Sequence, residues 1–244
     1  MELKNYAVLS RPLKNATKQR YHPYGGALLP RKFENQHYYG KRYELFHRFD
    51  QNVQLDEEML FSVCPERIAV QEARHLLQLF QQEQMKSSEQ KTIPLKPKLV
   101  DLFGGVGGFA VQLARFFRVV TVELSAERCS MLSHNAAIYE QQLTVVQGDC
   151  FKQRQLLEMV QPDVVTISPP WGGIDYVRRG FDVDAMEIGG RKFTELFEFI
   201  EAPIVYAVLP KQFVGRISED YEWEIRDCGV FFGALGVRKT DCGE

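Results

Sequence analysis

Val100-Asp101-Leu102-Phe103-Gly104-Gly105-Val106-Gly107-Gly108 decides the fold of this 244-residue chain. Apolar residues from Leu99 to Phe103 run into four glycines, and an amphipathic stretch of helical length follows at 109–117. This is the order of a strand, a turn that a ligand can approach closely, and a helix. Further apolar runs at 119–122, 143–146 and 164–167 alternate with helix-length stretches at 126–139 and 151–160, and a fifth run spans 204–209. Ser125 stands where it can cap the second helix. Strands that are apolar on both faces and alternate with helices predict a parallel sheet covered on both sides. The tail differs: runs at 221–226 and 230–237 flank Asp227-Cys228-Gly229, which predicts a hairpin with an antiparallel strand at one side of the sheet.

The glycine loop lies at the carboxyl ends of the strands, where open α/β sheets bind ligands. Alone it leaves the ligand open. Gly105-Val-Gly107-Gly-Phe-Ala110 fits the G-x-G-x-x-A form of a dinucleotide fingerprint, and Glu123 follows Gly105 by 18 residues, as a ribose-binding acid should. Two features favour S-adenosylmethionine over a nicotinamide dinucleotide. Asp101 precedes the glycines, where a carboxylate would pair with a methionine amine but repel a pyrophosphate. The tail hairpin is the usual finish of a methyltransferase sheet. The expected fold is therefore α/β, class I methyltransferase (Rossmann-like), with Gly105 and Gly107 cradling the cofactor. Asp149 ends the third strand, where the adenine amine would lie.

The fourth strand ends in Ser168-Pro169-Pro170-Trp171-Gly172-Gly173-Ile174-Asp175-Tyr176. Two prolines fix the backbone and remove donors. An exocyclic amine could then donate to the Ser168 side chain and to a carbonyl of the Pro169 segment, while Trp171 stacks on the base. Catalysis by such a site is mainly proximity and orientation.

The N-terminal fifth has a different character. Residues 1–50 carry 10 Lys+Arg against 4 Asp+Glu, whereas the whole chain has a net charge of −2. A basic front suggests an anionic partner. Residues 1–40 read as an extended arm, and 41–60 as a small helical subdomain with Tyr43, Leu45, Phe46, Phe49, Leu55, Met59 and Leu60 as its apolar set. Pro65 stands at a first-turn position of a helix whose stripe is Ile68, Ala69, Ala73, Leu76, Leu77 and Phe80. A polar stretch from Gln84 to Lys98 separates this arm and subdomain (1–85) from the main domain (98–244). The five cysteines are scattered, form no CxxC and do not cluster with the five histidines, so neither a metal site nor a disulfide framework is expected. That suits a reducing compartment. No run of 18 apolar residues suggests a membrane span, and Met1 to Tyr6 lacks the apolar segment of a secretory signal.

Taken together, these residues resemble the trimethylguanosine synthase family, which methylates the exocyclic N2 of a 7-methylguanosine RNA cap. The resemblance covers about residues 38–237. It rests on Arg42-Tyr-Glu-Leu-Phe-His-Arg-Phe-Asp50, Phe61-Ser-Val-Cys-Pro-Glu-Arg-Ile-Ala69, Val100–Gly108 and Ser168–Tyr176. It implies that Phe61, Ser62 and Cys64 close over S-adenosylmethionine. It also implies that Asn135 contacts the substrate base or cap, and that Tyr176 and Lys211 face the cap phosphates. His37 stands where the family carries a lysine, Cys64 where it has threonine, Lys211 where it has arginine, and Ser125 where it has an acid. Trp171 suits a cationic N7-methylated guanine, because an indole face attracts a cation by about 0.5–2 kcal/mol. The partner implied is 7-methylguanosine-capped RNA, the compartment the nucleus, and the state a monomer. The alternatives at this level are a methyltransferase for internal guanine or adenine, a non-catalytic cap-binding module, and a nicotinamide-dependent oxidoreductase.

Overall fold

The computed structural model describes residues 36–86, 94–172 and 181–239. Its frame is a seven-stranded sheet. Strands β1 (Lys98–Asp101), β2 (Arg118–Glu123), β3 (Thr144–Gln147) and β4 (Val164–Ile167) are followed by three two-residue strands, β5 (Phe181–Asp182), β6 (Glu187–Ile188) and β7 (Arg191–Lys192). Then come β8 (Ile204–Leu209), β9 (Phe213–Val214), β10 (Tyr221–Asp227) and β11 (Phe232–Arg238). The order across the sheet is β10-β11-β8-β4-β1-β2-β3. All pairings from β8 to β3 are parallel, while β11 runs antiparallel to both β8 and β10. The expected hairpin is present, and its second strand is the one that joins the sheet beside β8.

The chain moves to opposite sides of β1 for β2 and β4, so the switch point lies beside β1. All of β4 and β8 is buried, as continuous apolar runs in a covered sheet require. On one face lies α4 (Glu66–Lys86), a 21-residue helix that buries Ile68, Ala69, Ala73, Leu76 and Phe80 along one stripe. With it packs the short α5 (Ala110–Leu113), against Leu99, Phe117, Ile204, Tyr206 and Leu235. Tyr206 lies so close to Gly233 that a Cβ there would meet its phenol, so the cross-strand neighbour has to be glycine.

The opposite face is covered by α7 (Arg154–Val160) and by residues 181–200, which supply Phe181, Val183, Phe193, Leu196 and Ile200. No strong period runs through the sequence over 181–200, and the structure builds it from the short strands β5 to β7 and a 3₁₀ turn at Phe193–Glu198. The helix expected at 109–117 spans only four residues, and that at 151–160 begins as a 3₁₀ turn at Cys150–Lys152. Helix α6 (Ala126–Ile138) is capped by the Ser125 hydroxyl, which accepts from the Arg128 N–H at 3.3 Å.

A third cluster joins the N-terminal subdomain to the main domain. Helices α1 (Gln36–Gly40), α2 (Arg42–Leu45) and α3 (Met59–Ser62) bring Phe46, Leu55, Met59 and Leu60 against Val106, Val111 and Met131. Among the described residues, no helix is long and apolar enough to cross a membrane, and no group of side chains could hold a metal ion. The cysteines among them are all free, and Cys242 lies outside the described residues.

Candidate active site

The site begins where β1 ends. Asp101 is 1% exposed, and its two carboxylate oxygens accept from Thr121 Oγ1 on β2 and Thr166 Oγ1 on β4, each at 2.9 Å. Both threonines are fully buried. Burial lifts the Asp101 carboxyl to about 6; the Thr166 and Thr121 hydroxyls pull it partly back, and the nearby Glu123 charge adds to the rise. An ionised carboxylate has about four lone-pair sites, so Asp101 keeps acceptor capacity for a cation.

The glycine loop follows. Gly107 sits at φ 94°, in the left-handed region, and a Cβ there would press on Val111 and Leu132. A Cβ on Gly108 would run into Val63. The N-terminal segment therefore lies directly on the loop, with Val63 and the Cys64 carbonyl beside Gly108. Ser62 is exposed, and Phe61 is half-buried against the Tyr38 ring at 5.7 Å. The Cys64 carbonyl lies by Gly108. Its thiol joins the cluster that holds Trp171 and Cys228, where burial, helped by Cys228 and Glu72, raises its pKa.

Two acids stand at the next strand ends. Glu123 accepts through Oε2 from the Gly105 N–H at 2.8 Å and through Oε1 from the Ser125 N–H at 2.8 Å. Asp149 accepts from the Phe151 N–H at 3.0 Å. Beside it the Gln153 amide donates to the Asp149 carbonyl at 2.9 Å, while its Oε1 is buried and has no partner. A row of acids at 101, 123 and 149, a loop with no room for side chains and one orphaned buried acceptor fit a ligand with a cationic amine, a ribose and an adenine.

Ser168 is half-buried, Pro169 buried and Pro170 exposed. Ser168 stands two residues after Thr166, the residue that holds Asp101, so the proline segment leaves the sheet beside the glycine loop. Trp171 is half-buried, and its indole N–H donates to the Val208 carbonyl on β8 at 3.2 Å, which anchors that edge of the ring. Ile174, Asp175 and Tyr176 lie outside the described residues, as does the side chain of His37.

Two of the expected substrate residues have partners within the chain. Asn135 is fully buried rather than open to a base. Its Oδ1 accepts from the Gln54 N–H at 2.8 Å, and its Nδ2 donates to the Gln54 carbonyl at 2.7 Å and to the Val106 carbonyl at 2.8 Å. The amide is spent on clamping the N-terminal segment to the glycine loop. Lys211, expected to face phosphate, meets Asp227 at 2.8–2.9 Å. That bond, with one from the Gly229 N–H, holds the Asp227 carboxyl below its ordinary range.

Sequence reasoning missed the residues that seat this N-terminal segment, which lies over the glycine loop as a lid. Along α6, Arg128 meets Asp56 at 2.7 Å and Glu58 at 2.5 Å, and His134 lies 2.9 Å from the Asn52 carbonyl. The Tyr139 hydroxyl, just past α6, donates to Glu66 at 2.7 Å. Positions 128, 135 and 139 share one helix face, and that polar face is the signal that could have revealed a partner segment.

Residues 96–215 match the family described as RNA cap guanine-N2 methyltransferase. The chain is 32% identical over 144 residues to trimethylguanosine synthase of Schizosaccharomyces pombe, a match covering 57% of this chain and 54% of that protein. It is 32% identical over 147 residues to the Saccharomyces cerevisiae protein of the same name, covering 58% and 42%. The matches thus span about half the length of these curated relatives. Among solved structures, a Porphyromonas gingivalis protein described as a candidate methyltransferase superposes with a TM-score of 0.57 at 15% identity, over 82% of this chain and 47% of that one. A hypothetical protein of Thermus thermophilus gives 0.51 at 18% identity, over 78% and 94%. These two likenesses speak to the fold, which is that of a class I, Rossmann-like methyltransferase. Over residues 96–215 the chain is similar to the RNA cap guanine-N2 methyltransferase family.

Proposed function

We propose that this protein transfers methyl groups from S-adenosylmethionine to the exocyclic N2 of a 7-methylguanosine RNA cap, with the nucleus as its compartment. The observation that carries this reading is the joint at the switch point. Thr166 binds Asp101 across the sheet and stands two residues from Ser168, so the cation-binding carboxylate and the Ser-Pro-Pro-Trp segment share one frame. When bound, S-adenosylmethionine supplies an activated, electrophilic methyl.

The chain's own residues bind and orient. Asp101 receives the methionine amine, Glu123 the ribose hydroxyls and Asp149 the adenine amine. Gly105 and Gly107 let the backbone close around the ligand. Ser168 and a Pro169 carbonyl accept the two N–H bonds of the guanine amine, which draws its lone pair out of the ring and aims it at the methyl. Trp171, one edge anchored by the Val208 carbonyl, offers its face to the cationic base. After transfer the amine releases its proton to water.

The test is mass spectrometry of caps recovered after incubation with isotopically labelled cofactor. Label on N2 of a 7-methylguanosine cap dinucleotide is the expected result. Transfer only to uncapped RNA would overturn the cap assignment, and cap binding without transfer would make the protein a binding module. Trp171→Ala should abolish transfer and leave cofactor affinity within about two-fold; a matching loss of cofactor affinity would make Trp171 a structural residue.

A further inference from the structure

A second concave surface lies outside this site. Helices α2 and α4 enclose an open groove of about 560 Å³ lined by Tyr43, His47, Glu66, Arg67, Gln71 and Arg74, among others. Its near end adjoins the active site: Glu66 is two residues from Cys64, whose carbonyl lies by Gly108 and whose side chain shares a cluster with Trp171. From there the groove follows α4 away from the cap site. Arg67 and Arg74 are seven residues apart on one helix face, a rise of about 10 Å, close to that of three stacked nucleotides.

The chemistry of the groove is that of a single-strand track. Arg67 and Arg74 are exposed, and the Arg74 guanidinium lies 6.0 Å from the centre of the Phe116 ring. Of the acids in the wall, Glu66 is already spent: its Oε1 meets His47 Nδ1 at 2.6 Å, and its Oε2 accepts from the Tyr139 hydroxyl at 2.7 Å. Glu44 is the other. Tyr43 is 42% exposed and held rigidly, its hydroxyl donating to Asp50 at 2.9 Å and the Arg42 guanidinium lying 4.4 Å from its ring centre. Cations at phosphate spacing beside a fixed aromatic ring are how proteins hold single strands without reading their sequence.

We infer that the groove between α2 and α4 binds the first nucleotides of the RNA that follows the cap, with Arg67 and Arg74 on phosphates and Tyr43 against a base. This rests on the reading of the chain as a cap methyltransferase. It gives the enzyme a preference for capped RNA over a free cap, independent of RNA sequence.

The test compares a 7-methylguanosine cap dinucleotide with a capped 12-nucleotide RNA, using the full chain. For the double variant Arg67→Ala/Arg74→Ala, kcat/KM on the capped RNA should fall about ten-fold. The slope of log kcat/KM against log salt should flatten by about 1.4, the loss of two single-strand phosphate contacts. The dinucleotide is too short to occupy the groove and should be used as before, and Arg67→Lys/Arg74→Lys should recover most of the RNA activity. Equal losses on both substrates, or no change on either, would overturn the track. If the wild-type protein methylates neither cap substrate, the cap reading itself fails, and that result is distinct from the other two.

Discussion

Glu123 Oε2 accepts the Gly105 N–H at 2.8 Å, so the acid that ends β2 also holds the glycine loop. Its other oxygen holds the Ser125 N–H, the cap of α6. One side chain thus fastens the loop to the strand and helix behind it. Glu123→Ala should raise the cofactor dissociation constant at least ten-fold in calorimetric titration. It should also lower thermal stability, because two backbone donors lose their acceptor, a cost of about 1–3 kcal/mol each where water cannot replace it.

Asn135 gives a prediction that separates clamp from substrate contact. Asn135→Ala removes three hydrogen bonds, one buried and two part-buried, from the Gln54 N–H and the Gln54 and Val106 carbonyls. The expected loss in denaturant unfolding is on the order of 3 kcal/mol, with faster proteolysis of residues 50–62. If stability holds and only the KM for the cap rises, Asn135 acts on substrate instead.

Asp101 opposes stability to function. Its folded pKa of about 6 lies above the ordinary 3.8. Between about pH 4 and 6 the folded state keeps a proton that the unfolded chain has lost, so stability falls as pH rises through that window and levels off above it. The shift corresponds to on the order of 3 kcal/mol. Asp101→Asn should therefore match or exceed the wild type in Tm at pH 8, since each threonine hydroxyl can donate or accept, and the gain should vanish near pH 4. Cofactor affinity of the wild type should rise from pH 5 to 7 with a midpoint near 6. Asp101→Asn should bind weakly throughout.

The lid latch is electrostatic and partly exposed. The Arg128 side chain is 23% exposed, and its partners Asp56 and Glu58 are 28% and 49% exposed. Arg128→Ala should cost only about 1 kcal/mol of global stability. Hydrogen exchange over residues 54–63 should nevertheless quicken several-fold, and cofactor affinity should become less sensitive to salt than in the wild type. Unchanged exchange there would show that apolar packing of Met59 and Leu60 alone seats the lid.

Much of this site can be read from local sequence. A strand followed by Gly-Gly-Val-Gly-Gly has few other uses, since the backbone itself is the ligand-facing surface. Asp101, Glu123 and Asp149 are fixed at strand ends by the same alternation that sets the strands. Residues 181–200 are another matter. They cover a sheet face through two-residue strands and a 3₁₀ turn, elements too short to leave a period.

The parallel sheet, its antiparallel finish, the glycine loop and the row of acids are legible in the residues alone, because each depends on near neighbours in the chain. Which polar groups find partners within the chain follows instead from contacts made on folding. Asn135 is bound to Gln54, 81 residues away, Glu66 to Tyr139, 73 away, and Lys211 to Asp227, 16 away. A side chain's hydrogen-bonding capacity is a short-range quantity set by whatever folding brings within about 3 Å, and no spacing in the sequence encodes it.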